Sequence, residues 1–199
     1  MGQCVVNSKD TVPVTNLIAE VGIYLPKVSA TIAQAAVMRA IMTVVDRAKL
    51  IEYTLVQDYF NGVTGYPLTI PGCSTVLRVD KVWLSGTEIE FEVVNKEWLE
   101  IGLRHLGDIE GGLKTQLYAG ISKDSCEIPT YIYERYGDVI INRALSTLYG
   151  MNDEDWFDAE LVKFYGGIAK GGVDAIKQDT LEQEAPDGIP IDASHGLIV

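Results

Sequence analysis

Acidic and histidine side chains are the residues of this chain whose types and spacing could do chemistry. The densest group is His105, Asp108 and Glu110, which fall within six residues and offer the donor atoms of a metal site. The group has a single histidine, and the glycines that flank it predict a loop without preset geometry. We therefore predict a polar loop here, with no metal and no cofactor.

Carboxylates could also serve hydrolysis, because glycosidases need two acids at a defined separation. Glu97 and Glu100 precede Asp108 and Glu110, so four acids lie within fourteen positions. The chain has 28 Asp and Glu residues, which makes such a group weak evidence for a catalytic pair. His195 lies in no recognisable nucleophile motif. We predict that the chain is not an enzyme.

The glycine-rich run at residues 166–172 superficially looks like a phosphate-binding loop. It lacks the Lys-Ser/Thr ending of such loops, and it follows a predicted helix instead of a strand. We predict instead that Gly167 and Gly171 let a second helix approach closely.

Composition limits the classes of partner. The formal charge of −12 opposes attraction to nucleic-acid phosphates. Apolar residues make up 47% of the chain, enough for a buried core, and charged residues interrupt every apolar stretch before it reaches bilayer length. Cys4, Cys73 and Cys126 are odd in number and widely spaced, so we expect free thiols and no paired zinc site.

The elements that position these residues follow a simple order. Two predicted helices, at residues 14–24 and after an N-cap at Ser29, precede a block of short strands, whose clearest member is a hairpin through Ser85-Gly86. Residues 98–106 read as a helical turn or as irregular. Two further helices follow: one starts near Pro129 and ends at Gly150, and the other is capped by Asp153 or Asp155.

This order predicts an α+β fold: a bundle of about four helices with an inserted small antiparallel β subdomain and extended termini. The predicted parts are an N-terminal arm (1–12), a helical domain (13–50 plus 128–180), the β subdomain (51–127) and a C-terminal docking tail (181–199). The last two helices should pack as an antiparallel pair. Their predicted core is Tyr136, Leu145, Leu148, Trp156, Leu161 and Phe164.

The last two predicted helices contain a distinctive succession of residues: Tyr136-Gly137-Asp138, then Ala144-Leu145 and Leu148-Tyr149, and then Trp156, Asp158, Leu161, Phe164 and Tyr165. This succession resembles that of the head-to-tail adaptor (connector) proteins of tailed bacteriophages, most closely those of short-tailed phages. Earlier in the chain, Arg39, Gln57-Asp58 and Gly65-Tyr66-Pro67-Leu68 follow the same order.

The resemblance implies a structural virion protein of the neck: a ring of about twelve copies between the portal and the tail. Its partners would be the portal protein, the tail nozzle protein and further copies of the chain, with DNA passing through unbound and no membrane. The implied portal-docking residues are Ile189, Ile191, His195, Leu197, Ile198 and Val199, and the implied tail-facing loop residues are Asn61, Gly62, Gly107, Asp108 and Glu110.

Two other functions remain open from the sequence. One is a tail-tube or tail-completion protein of the neck. The other, from a different class, is a peptidoglycan hydrolase carried in the virion, for which Glu97, Glu100 and Glu110 would be the residues to replace.

Overall fold

The computed structural model describes residues 3–5, 10–70, 74–102 and 112–184. Within them, helices and antiparallel strands form an α+β fold, which confirms the predicted fold class. The helices are α1 (Thr15–Tyr24), α2 (Ala30–Ala48), α3 (Thr130–Tyr149) and α4 (Ala159–Glu184).

In the described residues, ten strands separate or flank these helices. They are β1 (Gln3–Val5), β2 (Thr11–Pro13), β3 (Ile51–Asp58), β4 (Gly65–Pro67), β5 (Ser74–Leu84), β6 (Thr87–Glu88), β7 (Phe91–Val94), β8 (Trp98–Ile101), β9 (Gly112–Ile121) and β10 (Glu127–Pro129). A five-stranded sheet has the order β1-β3-β9-β5-β6, a three-stranded sheet has the order β4-β8-β7, and β10 pairs with β2. The predicted N-terminal arm (1–12) thus contributes β1 and the first two residues of β2, and both strands pair with later parts of the chain.

Helix α2 lies at the centre of the helical part. Its Ser29 cap is confirmed, because the Ser29 hydroxyl accepts a hydrogen bond from the Ile32 amide at 3.3 Å. Nine of its residues are buried, since it packs against α1, α3, α4 and strand β9. At its end, the Tyr131 hydroxyl of α3 donates to the Leu50 carbonyl oxygen at 2.6 Å. Because α2 packs against both the other helices and strand β9, the buried residues of the helices and of the sheet form one continuous apolar core.

The β block differs from its predicted form in two respects. The hairpin turn at Ser85-Gly86 is present, with positive φ at both residues. After the turn, only Thr87–Glu88 pairs with β5. Phe91–Val94 instead pairs with Trp98–Ile101. The prediction of a helical turn or irregular chain over residues 98–106 was wrong at Trp98–Ile101, because positive φ at Asn95 and Lys96 turns the chain back into a strand. Residues 103–106 lie outside the described residues.

The α3–α4 pair has the predicted antiparallel arrangement, but its cap and its core differ in detail. Asp158 caps α4: its Oδ1 accepts from the amides of Glu160 (2.9 Å) and Leu161 (3.0 Å), so neither Asp153 nor Asp155 has that role. Trp156 lies before the helix and donates from Nε1 to the Leu148 carbonyl oxygen at 3.1 Å.

The predicted helix-pair core is only partly right. Leu145 and Leu148 are fully buried, while Tyr136 and Trp156 are half-buried against the core and Leu161 is also half-buried. Phe164 was assigned wrongly, because 59% of it is exposed. The neighbouring Tyr165 turns inward instead and stacks on Tyr149, with 5.6 Å between the ring centroids.

Close approach of α3 and α4 depends on two glycines other than the predicted pair. A Cβ on Gly172 would lie 2.6 Å from Val139 Cγ2, and one on Gly166 would lie 3.0 Å from the Ser146 hydroxyl. A Cβ on Gly167 or Gly171 would meet nothing within 4 Å. The prediction chose the right segment and the wrong face of the helix.

Candidate assembly surfaces

The turn that joins β3 to β4 contains Asn61 and Gly62, which the sequence singled out as tail-facing. The Tyr66 hydroxyl holds this turn, because it accepts a hydrogen bond from the Phe60 amide (3.1 Å) and donates one to the Phe60 carbonyl oxygen (3.3 Å). Tyr66 is itself buried and stacked on Tyr59. The turn is therefore fixed on the core of the β region, and both Asn61 and Gly62 are exposed.

Large apolar side chains surround this turn. Phe60 is 61% exposed, and Val63 and Trp98 are also exposed. Trp98 packs over the strand that follows the turn, where a Cβ on Gly65 would lie 3.8 Å from its ring. We call Phe60, Val63 and Trp98 the loop patch. Burial of these side chains by a partner would be favourable because water now contacts them.

A second exposed apolar surface lies on α4. Phe164 and Ile168 are exposed and stand four positions apart, so they share one face of the helix. Gly167 and Gly171 lie on the same side, with open space where a side chain would be. We call Phe164 and Ile168 the α4 patch. Its position opposite the buried residues Ala169, Val173 and Ile176 leaves it available to another molecule.

Positive charge is concentrated where α2, α3 and α4 meet. Arg47, Arg143 and Lys170 line a cavity of about 230 Å³, together with Asp174. In the described part of the chain, a salt bridge joins Arg78 to Asp80 at 3.4 Å. No described carboxylate forms a salt bridge with Arg47, Arg143 or Lys170. We call this cavity the basic cleft. It is unusual in a chain with a formal charge of −12.

A larger groove runs along the exposed side of α2 and shares Thr43 with the basic cleft. Its volume is about 740 Å³. Its apolar lining comes from Ala35, Met38 and Met42, and its charged lining from Arg39, Asp46 and Lys123. We call it the α2 groove. Burial raises the pKa of the Asp46 carboxyl, an effect that the nearby Lys96 ammonium partly offsets.

The residues considered for chemistry do not come together in the described part of the chain. Glu97 and Glu100 lie on or beside β8 and are exposed. No cluster of three or more potential metal ligands occurs among the described residues. His105, Gly107, Asp108 and Glu110 lie outside the described residues, as do all six implied portal-docking residues at 189–199. None of the described helices combines the length and the apolarity needed to cross a bilayer.

Sequence reasoning missed the loop patch, the α4 patch and the basic cleft. Exposed aromatic residues have the same sequence signature as buried ones, so periodicity assigned Phe164 to the core and left Phe60 unassigned. The basic cleft joins residues from three helices, and a cluster of that kind becomes visible only when the helices are packed together.

The chain has a structural similarity to a solved protein without a match to a family model or to a curated protein. No model of a protein family matches the chain, and no curated protein matches it significantly. Among solved structures, the chain is similar to one from the neck of a native GTA particle computed with C12 symmetry. The alignment covers 87% of this chain and 94% of that chain, at 16% sequence identity and a TM-score of 0.33. A score at that level does not establish a shared fold.

Proposed function

We propose that the chain is a non-enzymatic structural protein of a phage-type particle, a head-to-tail adaptor whose copies form a ring between the portal and the tail. The observation that carries the proposal is the pair of exposed apolar patches on different elements of one molecule. The residue succession in α3 and α4 that resembles phage adaptors supports it.

Two patches allow two simultaneous contacts. Single exposed apolar residues are common on any protein, but large apolar side chains grouped beside a fixed turn are typical of a binding surface. In the proposal, the loop patch binds a tail component and the α4 patch binds a neighbouring copy. Contacts that are weak singly become strong in a closed ring, because the first contact makes the others effectively intramolecular.

The formal net charge of −12 would also help the proposed ring to function. A ring with an acidic inner surface would repel DNA phosphates and so let DNA pass without adhering. The mechanism is then multivalent binding, and it involves no bond-making step.

The two patches provide matched variants for a test. Phe60→Ser and Phe164→Ser make the same chemical change at side chains that are 61% and 59% exposed, so each should leave the melting temperature close to that of the wild type. We expect Phe60→Ser to abolish joining of the tail component while rings still form on the portal. We expect Phe164→Ser to reduce the fraction of portals that carry a ring.

Negative-stain images of portal complexes, with and without the tail component, measure both effects. Each variant controls for the other, because general misfolding would impair both steps. Normal ring formation and tail joining by both variants would refute the assignment of the patches. Lysis of peptidoglycan by the wild type that is lost on Glu97→Ala or Glu100→Ala would refute the non-enzymatic function.

A further inference from the structure

The basic cleft and the α2 groove form one track, because they share Thr43 and both follow α2. Along the track the lining changes from mainly cationic, at Arg47 and Lys170, to one in which the apolar Met42 and Met38 lie beside the charged Arg39, Asp46 and Lys123. An extended segment that fits it would carry carboxylates at one end and aliphatic side chains at the other.

This chain contains such a segment. Residues 185–199 have no Lys or Arg, carry carboxylates at Asp187 and Asp192, and finish with Leu197-Ile198-Val199. The lengths also agree. Thr31 and Arg47 mark the ends of the track on α2 and are separated by about 24 Å at the helical rise. The eight residues from Asp192 to Val199 span about 26 Å when extended.

We infer that residues 187–199 of one copy bind in the basic cleft and α2 groove of a second copy, with Asp187 and Asp192 facing Arg47, Arg143 and Lys170 and the aliphatic end covering Met38 and Met42. The inference rests on the proposed function, because it describes a contact between neighbours in a ring. It differs from the portal-docking role that the resemblance implies for the same residues.

The segment 187–199 can reach the track of a second copy more easily than the track of its own copy. Helix α4 continues to Glu184, fourteen residues past Lys170, and so carries the chain about 21 Å beyond the cleft. The seven residues from 185 to 191 extend to about 23 Å at most, and they include two prolines. That length leaves nothing for the reversal of direction that binding to the same copy would need.

Protein carboxylates fit the track better than a nucleic acid does. Asp46 lines the α2 groove and would repel a row of phosphates that continued along it, whereas the proposed segment places aliphatic side chains there. A cavity of about 230 Å³ between three helices has room for one or two carboxylate side chains but not for a duplex. The apolar lining of the α2 groove would also remain uncovered by DNA.

A labelled synthetic peptide of residues 185–199, titrated into the full-length protein and followed by fluorescence anisotropy, tests the inference. We expect saturable binding that weakens as salt is added. The double variant Arg47→Glu with Lys170→Glu should weaken it by roughly tenfold or more, because each reversal turns an attraction to the peptide carboxylates into a repulsion. Lys163→Glu makes the same kind of charge change at an exposed position on α4 outside the cleft, and should leave binding unchanged.

A second experiment reverses the charges of the peptide to match those of the double variant. A peptide with Asp187→Lys and Asp192→Lys should bind the double variant better than it binds the wild type. Three results would overturn the inference. They are no saturable binding, equal binding by wild type and double variant, or, at a concentration where the full chain is monomeric, binding only after residues 185–199 are deleted, which would place the segment on its own copy. Displacement of the peptide by a short DNA duplex at similar concentration would also overturn it.

The two proposals can fail separately. If rings form on the portal and the peptide does not bind, the inference is wrong and the adaptor function stands. If the peptide binds and no ring forms on the portal, the adaptor function is wrong and the contact between copies remains.

Discussion

Replacement of Gly172 by alanine tests the packing of α3 against α4 directly. A Cβ at this position would lie 2.6 Å from Val139 Cγ2 and 3.1 Å from Val139 Cγ1. Valine in a helix is held in one side-chain rotamer, so Val139 cannot rotate away and the helices must separate. Overpacking of this kind costs about 1–3 kcal/mol, against a gain in helix propensity of about 1 kcal/mol.

Gly171 is the matched control. It is the adjacent residue of the same helix, and a Cβ there would meet nothing within 4 Å. Gly171→Ala should therefore stabilise the fold by up to about 1 kcal/mol. The two variants should differ by about 1–3 kcal/mol in the free energy of unfolding. For a chain of this length, each kcal/mol corresponds to about 2–4 °C in melting temperature.

Thermal and urea denaturation of the two single variants, and of Gly172→Ala in a Val139→Ala background, provide the assay. Removal of the valine methyl groups should relieve the overpacking, so that Gly172→Ala becomes neutral or stabilising there. Gly172→Ala as stable as Gly171→Ala in the wild-type background would show that the two helices are not packed as described.

Three further predictions concern single contacts. Burial raises the pKa of Tyr131 to about 12, so between pH 10 and 12 the unfolded chain loses the phenol proton while the native chain keeps it, and the stability of the wild type falls. Tyr131→Phe has no such proton, so its melting temperature should fall less steeply than that of the wild type over this pH range. Asp158→Ala should cost about 0.5–2 kcal/mol in urea denaturation, while Asp153→Ala should cost far less, since Asp158 alone of the two caps α4. Gly120→Ala should change the melting temperature less than Gly172→Ala does, because its Cβ would lie 2.9 Å from Asp46 Oδ1 and 3.0 Å from Leu77 Cδ2, which are the ends of flexible side chains that can move aside.

Local signals in the sequence predicted the helices well. Ser29, Pro129 and Gly150 mark helix boundaries through backbone geometry that depends on a few neighbouring residues, and the structure has helix ends at all three. The cap of α4 was missed because several acids precede that helix, and only the folded geometry shows which of them reaches the free amides.

Longer-range features could not be read in the same way. Strand β8 forms because its partners β4 and β7 lie on both sides of it, and the pairing with β4 spans more than thirty positions. Helix α4 has apolar residues on two faces, so its periodicity alone could not decide between Phe164 and Tyr165 as the buried ring. The candidate binding surfaces combine residues from separate elements, and the sequence supplied only the Asn61-Gly62 turn among them.

The central claim is that copies of this chain close into a ring that joins a portal to a tail. Cryo-electron microscopy of the full-length chain mixed with the portal protein of its own particle tests it most directly. We expect a closed ring of about twelve copies on the portal, formed from a chain that is monomeric or weakly associated when alone. A tight dimer that is unchanged by the portal, with no density added to the portal ring, would contradict the claim.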